Sequence, residues 1–275
     1  MKVGLATFLV GERSGDEPAG RGSGIRPDVL ARTAEERGFA SLFLTEHTHI
    51  PVSAGMVARD GGPLEEKYRR THDPFVALAF AAAATSDLII GTSVSLVIEH
   101  DPIVLAKVVS SLDVLSGGRF VLGVGAGWNK QEMLNHGTDP ATRHGNMRER
   151  VEAMQAIWRD DEASYHGKHV NFDPIWQWPK PAGGKVPVYV GGNGPRVEDR
   201  VLRYGDGWMP NMPEIETLGP RIAALRSRAG REVPVIYYGA TPENLDTLRA
   251  AGVDHALIVL PSGSEADVLA SIPSL

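Results

Sequence analysis

His47 is the side chain in this sequence best placed to move a proton near neutral pH, where an imidazole changes charge without help from its surroundings. It follows Glu46 at the end of an apolar run, Phe39–Glu46 (FASLFLTE). A carboxylate beside a histidine can orient the ring and stabilise its charged form, so the two residues read as a proton carrier and its orienting acid. A hydrogen-bonded structural histidine is the other reading, and position alone leaves both open. Two glycine-rich stretches could serve a ligand. Gly191-Gly192-Asn193-Gly194-Pro195 follows the apolar run Val186–Val190 and precedes a helical pattern. Successive backbone N–H groups at a helix start form an anion site, here suited to a phosphate; a tight turn that binds nothing is the alternative. Gly123–Trp128 (GVGAGW) fails as a dinucleotide fingerprint, because Trp128 stands where the third glycine belongs. Gly125, Ala126 and Gly127 instead read as backbone that a flat ligand can approach closely, with Trp128 beside it. His49, His100, His136 and His144 show no metal-ligand spacing, so no metal site is expected. Lys67, Arg69 and Arg70 lie in a long loop, Thr48–His72, and read either as a lid closing over an anion or as a solvated face.

The elements that must position these residues follow from hydrophobic periodicity. In Asp87–Trp128 an apolar β-branched run (Leu88–Ile98) precedes a helical run (Pro102–Leu115), a Gly-Gly stop and a second apolar run (Phe120–Val124). Strand, helix and strand in so short a span form a βαβ unit, which requires a parallel sheet. Further strands are expected at Lys2–Phe8, Phe39–Glu46, Val186–Val190, Gly207–Asn211, Val235–Gly239 and His255–Leu260, with helices between them. Tyr165–Phe172 reads as a hairpin outside the main sheet, and the pattern loosens between Trp128 and Arg143. Eight strands alternating with helices predict a (β/α)8 barrel with an insertion between strands four and five; an open doubly wound sheet is the alternative. Either way the candidate residues fall at the carboxyl ends of strands, where parallel α/β proteins bind ligands.

Bulk properties exclude several classes. The 275 residues are expected to form one domain, 1–275, with 42% hydrophobic residues to fill its core. No cysteine is present, which removes disulfides and thiolate chemistry. A net charge of −6 argues against nucleic acid as a partner, and no apolar run is long enough to span a membrane. The opening MKVGLATFLVG reads as a strand rather than an export signal, so a cytoplasmic location is expected.

SLFLTEHTHIP, LIIGTSVSLVIEHDPIVLAKVVSSLDVLSGGRFVLGVGAGW, RERVEAMQAIW, VYVGGNGP and YGDGWMP resemble the bacterial luciferase-like flavin and deazaflavin oxidoreductases, from about Val3 to Pro210. TEHTHIP and GWNKQEMLNHGTDP are most similar to the subgroup of probable F420-dependent oxidoreductases. The resemblance implies a (β/α)8 barrel, a homodimer, and a cofactor ring in the barrel mouth. It gives His47 the place facing that ring, Ser93-Val94 the place of a non-prolyl cis peptide behind it, and Gly191, Gly192, Asn193 and Gly194 the place of the phosphate loop. Trp128 departs from the sugar-phosphate dehydrogenases of the family, some of which carry a catalytic glutamate there; this disfavours such a substrate and hints at an apolar pocket. The expected activity is hydride transfer between coenzyme F420 and a small organic substrate, with His47 giving or taking a proton and Glu46 orienting it. An FMN-dependent monooxygenase and a non-catalytic flavin-binding barrel are the alternatives.

Overall fold

Short strands buried on both faces alternate with helices along the chain, and their pairing generates the barrel. The computed structural model describes residues 1–10, 24–52, 62–211 and 214–274. The loop expected at Gly11–Gly24 lies almost wholly outside the described residues, as does part of Thr48–His72. The strands are β1 (Lys2–Thr7), β2 (Ser41–Leu44), β3 (Ile89–Thr92), β4 (Phe120–Val124), β5 (Glu162–His166), β6 (Asn171–Trp176), β7 (Val188–Gly191), β8 (Gly207–Met209), β9 (Ile236–Ala240) and β10 (His255–Val259). Eight of them form one parallel sheet in the order β8-β7-β4-β3-β2-β1-β10-β9. Parallel bridges Trp208–Val235 and Asn211–Tyr238 join its two edges, so the sheet closes into the expected (β/α)8 barrel. β5 and β6 make the separate antiparallel hairpin, longer than Tyr165–Phe172 and inserted between the fourth and fifth barrel strands.

The helices are α1 (Pro27–Glu36), α2 (Pro74–Ala83), α3 (Pro102–Leu115), α4 (Lys130–Asn135), α5 (Arg143–Arg159), α6 (Val197–Tyr204), α7 (Ile215–Ala229), α8 (Leu245–Ala250) and α9 (Glu265–Ser271). α2 and α3 start alike: Asp73 accepts from the Val76 N–H, Asp101 accepts from the Ile103 and Val104 N–H groups, and a proline fills the first helical position. Ala6, Phe43, Met209, Ile236, Tyr238 and Leu257 cluster apart from the main core as a second apolar group drawn from five of the barrel strands. The larger cluster, with Leu30, Leu78, Leu105, Val151 and Val201, packs helices against the barrel wall.

Two expectations need correction, and both bear on the site. Leu88–Ile98 is not one strand. β3 stops at Thr92, a cis Ser93-Val94 peptide follows, and Val97–Glu99 forms a 3-10 turn. The chain turns there because the Glu46 carboxylate takes hydrogen bonds from Ser95 Oγ at 2.7 Å and the Leu96 N–H at 2.6 Å. The loose stretch after Trp128 contains α4, six residues long, whose first N–H groups (Gln131 and Glu132) are capped by Asn129.

Candidate active site at the barrel mouth

His47 leaves the carboxyl end of β2 and meets Glu132 of α4. Nδ1 of His47 lies 2.9 Å from Oε2 of Glu132, both side chains being buried, and the Thr48 N–H donates to Oε1 of the same carboxylate at 3.1 Å. A carboxylate only accepts when ionised, so it selects the tautomer with a proton on Nδ1 and leaves Nε2 as the atom that can exchange one. Glu46 does not play this part. Its carboxylate accepts from Ser95, Leu96 and, at 2.7 Å, His100 Nε2, and so faces away from His47. Burial pushes the Glu46 carboxyl up, but the His100 hydrogen bond and charge, with Ser95 and Leu96, outweigh it and hold the group below the usual carboxylate range. His100 is raised in turn: burial lowers it, and the Glu46 hydrogen bond and charge more than compensate. Glu46, buried, and His100, half-buried, are therefore an ion pair that braces the turn after β3.

That turn carries the residues expected against a ring. The peptide Ser93-Val94 is cis, and Ser93 Oγ is buried without a hydrogen-bond partner. Both glycine motifs converge on Val94. A Cβ on Gly125 would stand 2.4 Å from Val94 Cγ2, and one on Gly191 2.8 Å from Cγ1. These two glycines thus make room for Val94 itself, not directly for a ligand as the sequence suggested. Ala126 is buried beside them, and Gly127 has φ +66° where the chain turns toward α4. Trp128 completes an aromatic wall: its ring lies 5.9 Å from that of His47 and 6.0 Å from that of Tyr68, both edge-on. Phe8 sits 4.9 Å from Tyr68 and stacks parallel to His47 at 6.5 Å. The sequence reading missed Phe8, Tyr68 and Glu132; Phe8, just past the end of β1, was the one with a signal, an aromatic residue at a strand's carboxyl end.

The loop after β7 is held rigidly. Asn193 donates from Nδ2 to the Asn211 carbonyl and accepts the Asn211 N–H at Oδ1, while Trp208 Nε1 donates to the Gly192 carbonyl at 2.9 Å. The Gly192 N–H is spent on the Met209 carbonyl, which removes one of the donors expected to face an anion. A Cβ on Gly192 or Gly194 would meet open space, so this side of the loop is uncovered. Arg143, Arg196 and Arg200 lie nearby and act together on His144, which is pushed down to about 4 by burial and then by Arg200, Arg143 and Arg196. Of these, Arg196 follows the loop directly, at the start of α6. Lys67, Arg69 and Arg70, by contrast, pair with Glu65 and Glu66 of their own segment, with Lys67 Nζ also 5.1 Å over the Phe8 ring.

A family model described as luciferase-like monooxygenase matches residues 5–243, nearly the whole barrel. The chain belongs to this luciferase-like family. An uncharacterized protein of Mycobacterium tuberculosis is 38% identical over 262 residues, covering 92% of this chain and 93% of that protein. A second relative from that organism, an F420-dependent hydroxymycolic acid dehydrogenase, is 28% identical across 78% of this chain and 60% of its own length. Among solved structures, the FMN-bound oxygenating constituent of 3,6-diketocamphane monooxygenase from Pseudomonas putida superposes with a TM-score of 0.67. It is 22% identical and covers 86% of this chain and 66% of that one, a likeness of fold. Within the luciferase-like barrel of this chain, every residue expected to face a ring or a phosphate stands at or just beyond the carboxyl end of β2, β3, β4 or β7.

Proposed function

We propose that the protein is an F420-dependent oxidoreductase that moves a hydride between the cofactor and a small organic substrate with an apolar face. The observation that carries this reading is the buried His47–Glu132 contact at the mouth, 2.9 Å long. A ring held at Nδ1 by a buried carboxylate presents Nε2 in one orientation, which suits it to give or take the proton that accompanies hydride transfer to or from a carbonyl or hydroxyl. The F420-dependent relative supports the choice of cofactor.

The residues present fit a flat ring with a phosphate tail. Ser93 Oγ, buried and unpartnered, is a donor waiting for a ligand atom. The uncovered Gly192–Gly194 face, beside Arg196 and Arg200, suits the phosphate. When bound, the deazaflavin supplies a hydride donor or acceptor that reacts poorly with oxygen. The chain's own work is to hold the ring against Val94, to set Nε2 of His47 toward the substrate, and to exclude water with Phe8, Tyr68 and Trp128. Trp128 gives the substrate an aromatic surface in place of a carboxylate. We further propose that a second copy of the chain covers the α2–α3 face, where Val76, Phe80, Val104 and Leu115 are 53–81% exposed.

The FMN-bound structural neighbour favours a second reading, an FMN-dependent monooxygenase on the same scaffold. Titrating the purified protein with F420 and with FMN, then measuring oxygen uptake during turnover, separates the two. Tighter F420 binding without oxygen uptake supports the first reading. Tighter FMN binding with oxygen consumed supports the second, and binding of neither leaves a non-catalytic barrel.

A further inference from the structure

Glu99 ends the 3-10 turn after β3, and its side chain is 1% exposed. Oε2 faces the Thr48 hydroxyl at 3.1 Å, while Oε1 is buried with no hydrogen-bond partner. An ionised carboxylate with a bare buried oxygen loses its hydration and gains nothing in exchange, so this environment favours the neutral acid. Three neighbours face the group with charge, Glu132 from α4, Glu46 from just past the end of β2 and Arg150 from α5, and His136, just after α4, brings Nε2 to 3.6 Å from Oε2. Burial first, then Glu132 and Glu46, push the Glu99 carboxyl up to about 8, against the Thr48 hydrogen bond and Arg150.

Thr48 Oγ1 has three neighbours: Glu99 Oε2, His49 Nδ1 at 2.9 Å and His136 Nε2 at 2.8 Å. A hydroxyl donates once and accepts twice. Asn135 Nδ2 lies 2.9 Å from His49 Nε2, so Nε2 accepts and Nδ1–H of His49 donates to Thr48. With Glu99 neutral and its proton on Oε2, Glu99 donates to Thr48 and Thr48 donates to His136 Nε2; with Glu99 ionised, Thr48 donates to Oε2. His136 is held below the usual range by burial and by His49, which keeps it a neutral acceptor. Ionising Glu99 reverses the chain. The acid proton passes to Thr48 Oγ1 as the hydroxyl proton passes to His136 Nε2, and the partly exposed His136 releases its Nδ1 proton to solvent. One proton leaves the protein, Glu99 becomes an anion, and His136 changes tautomer.

We propose that Glu99 is a positioning residue for His47: a buried acid that exchanges its proton with solvent through Thr48 and His136, and whose charge, acting on Glu132, biases the proton on His47. Thr48 ties the two carboxylates together, since its N–H holds Glu132 and its hydroxyl holds Glu99. An anion at Glu99 adds a second negative charge behind the His47–Glu132 pair. The inference deepens the reading of His47 as proton carrier and rests on it, but its test needs no turnover and no cofactor.

The test is a pH titration of the full-length protein followed by 15N NMR of its histidine rings, with the His47 signals identified by their loss in His47→Asn. The His47 shifts should report the ionisation of Glu99 as an inflection near pH 8. Glu99→Gln, nearly isosteric and fixed in the neutral form, should abolish that inflection. Thr48→Val removes the hydroxyl that stabilises the anion and should move the inflection alkaline, while Thr48→Ser should return it. His47 shifts without an inflection near pH 8 in the unaltered protein, or an inflection that survives Glu99→Gln, overturn the proposal. Reading the unaltered chain first keeps the test decisive even where a variant misfolds. Loss of turnover in His47→Asn bears on the functional reading alone, so the two failures are distinguishable.

Discussion

Glu132 Oε2 and His47 Nδ1 are 2.9 Å apart although 85 residues separate them in the chain. The contact exists because α4, capped by Asn129, begins directly after the β4 glycine turn and points its first turn back across the mouth toward β2. Glu132 cannot be moved without uncapping α4 or freeing the Thr48 N–H, so the orientation of the His47 ring is built into the barrel wall.

The first prediction concerns this pair. His47→Ala should cut turnover by on the order of a hundredfold or more while cofactor affinity changes only a few-fold, the usual scale for a lost general acid or base. Glu132→Gln should also lower kcat, by roughly tenfold or more, because a carboxamide no longer selects the Nδ1–H tautomer with the strength of a carboxylate. Steady-state kinetics checks both. Full turnover in His47→Ala would reduce the histidine to a wall of the pocket.

The second prediction is a pH dependence of stability set by Glu46 and His100. Glu46 is lowered from its ordinary 4.5, so its contribution is present above that value and lost as pH falls through the folded-state value. His100 is raised from 6.5, so its contribution is present below that value and lost as pH rises through the folded-state value. The ion pair is complete between these limits, and Tm should fall on either side. His100→Ala strands a buried carboxylate and should cost about 3–5 kcal/mol near neutral pH. It should also flatten the alkaline limb of the Tm profile; an unchanged profile would show that the pair contributes nothing.

The barrel was legible in the sequence because its strands are short apolar runs with clear stops, and α3 and β4 have the expected bounds (Pro102–Leu115 and Phe120–Val124). What the sequence hid was long-range. Glu46 stands next to His47, and adjacency suggested a pair, yet neighbouring residues at a strand end point to opposite sides, and the two side chains go to different partners. The proper partner lay in a six-residue helix too short for a 3.6-residue period to show. Gly125 read as a site of close approach for a flat ligand and Gly191 as part of an anion loop, but the group both make room for is Val94 of the same chain, a contact that no local pattern encodes. Likewise Lys67, Arg69 and Arg70 looked like a free basic cluster, but each pairs with Glu65 or Glu66 of its own segment.

The third prediction concerns assembly. Val76 and Phe80 on α2 and Val104 and Leu115 on α3 leave a row of large apolar side chains open. A dimer that covers this face should appear in sedimentation or light scattering at micromolar concentration. Phe80→Glu with Leu115→Glu should give a monomer, since each change sets a charge into an apolar contact. A double variant with the same mass in solution as the unaltered protein removes this face from consideration.

The last prediction is the cofactor. The phosphate site proposed at Gly192–Gly194 and the ring site proposed at Val94 would serve FMN and F420 alike, so the difference must come from the ring. FMN carries nitrogen at the position where deazaflavin carries carbon, and only the former reacts readily with oxygen. Ser93 Oγ, buried and without a partner, sits at the cis peptide with Val94 and is a hydroxyl free to meet the ring. F420 should bind at least tenfold more tightly than FMN, a difference of about 1.4 kcal/mol. Ser93→Ala should weaken whichever cofactor binds by a few-fold, since it deletes one hydrogen bond without opening a cavity. Fluorescence titration reads both affinities on the same preparation. Equal or tighter FMN binding, joined to oxygen uptake during turnover, would transfer His47 and its Glu132 partner to the monooxygenase reading. An affinity untouched by Ser93→Ala would place the ring elsewhere in the mouth.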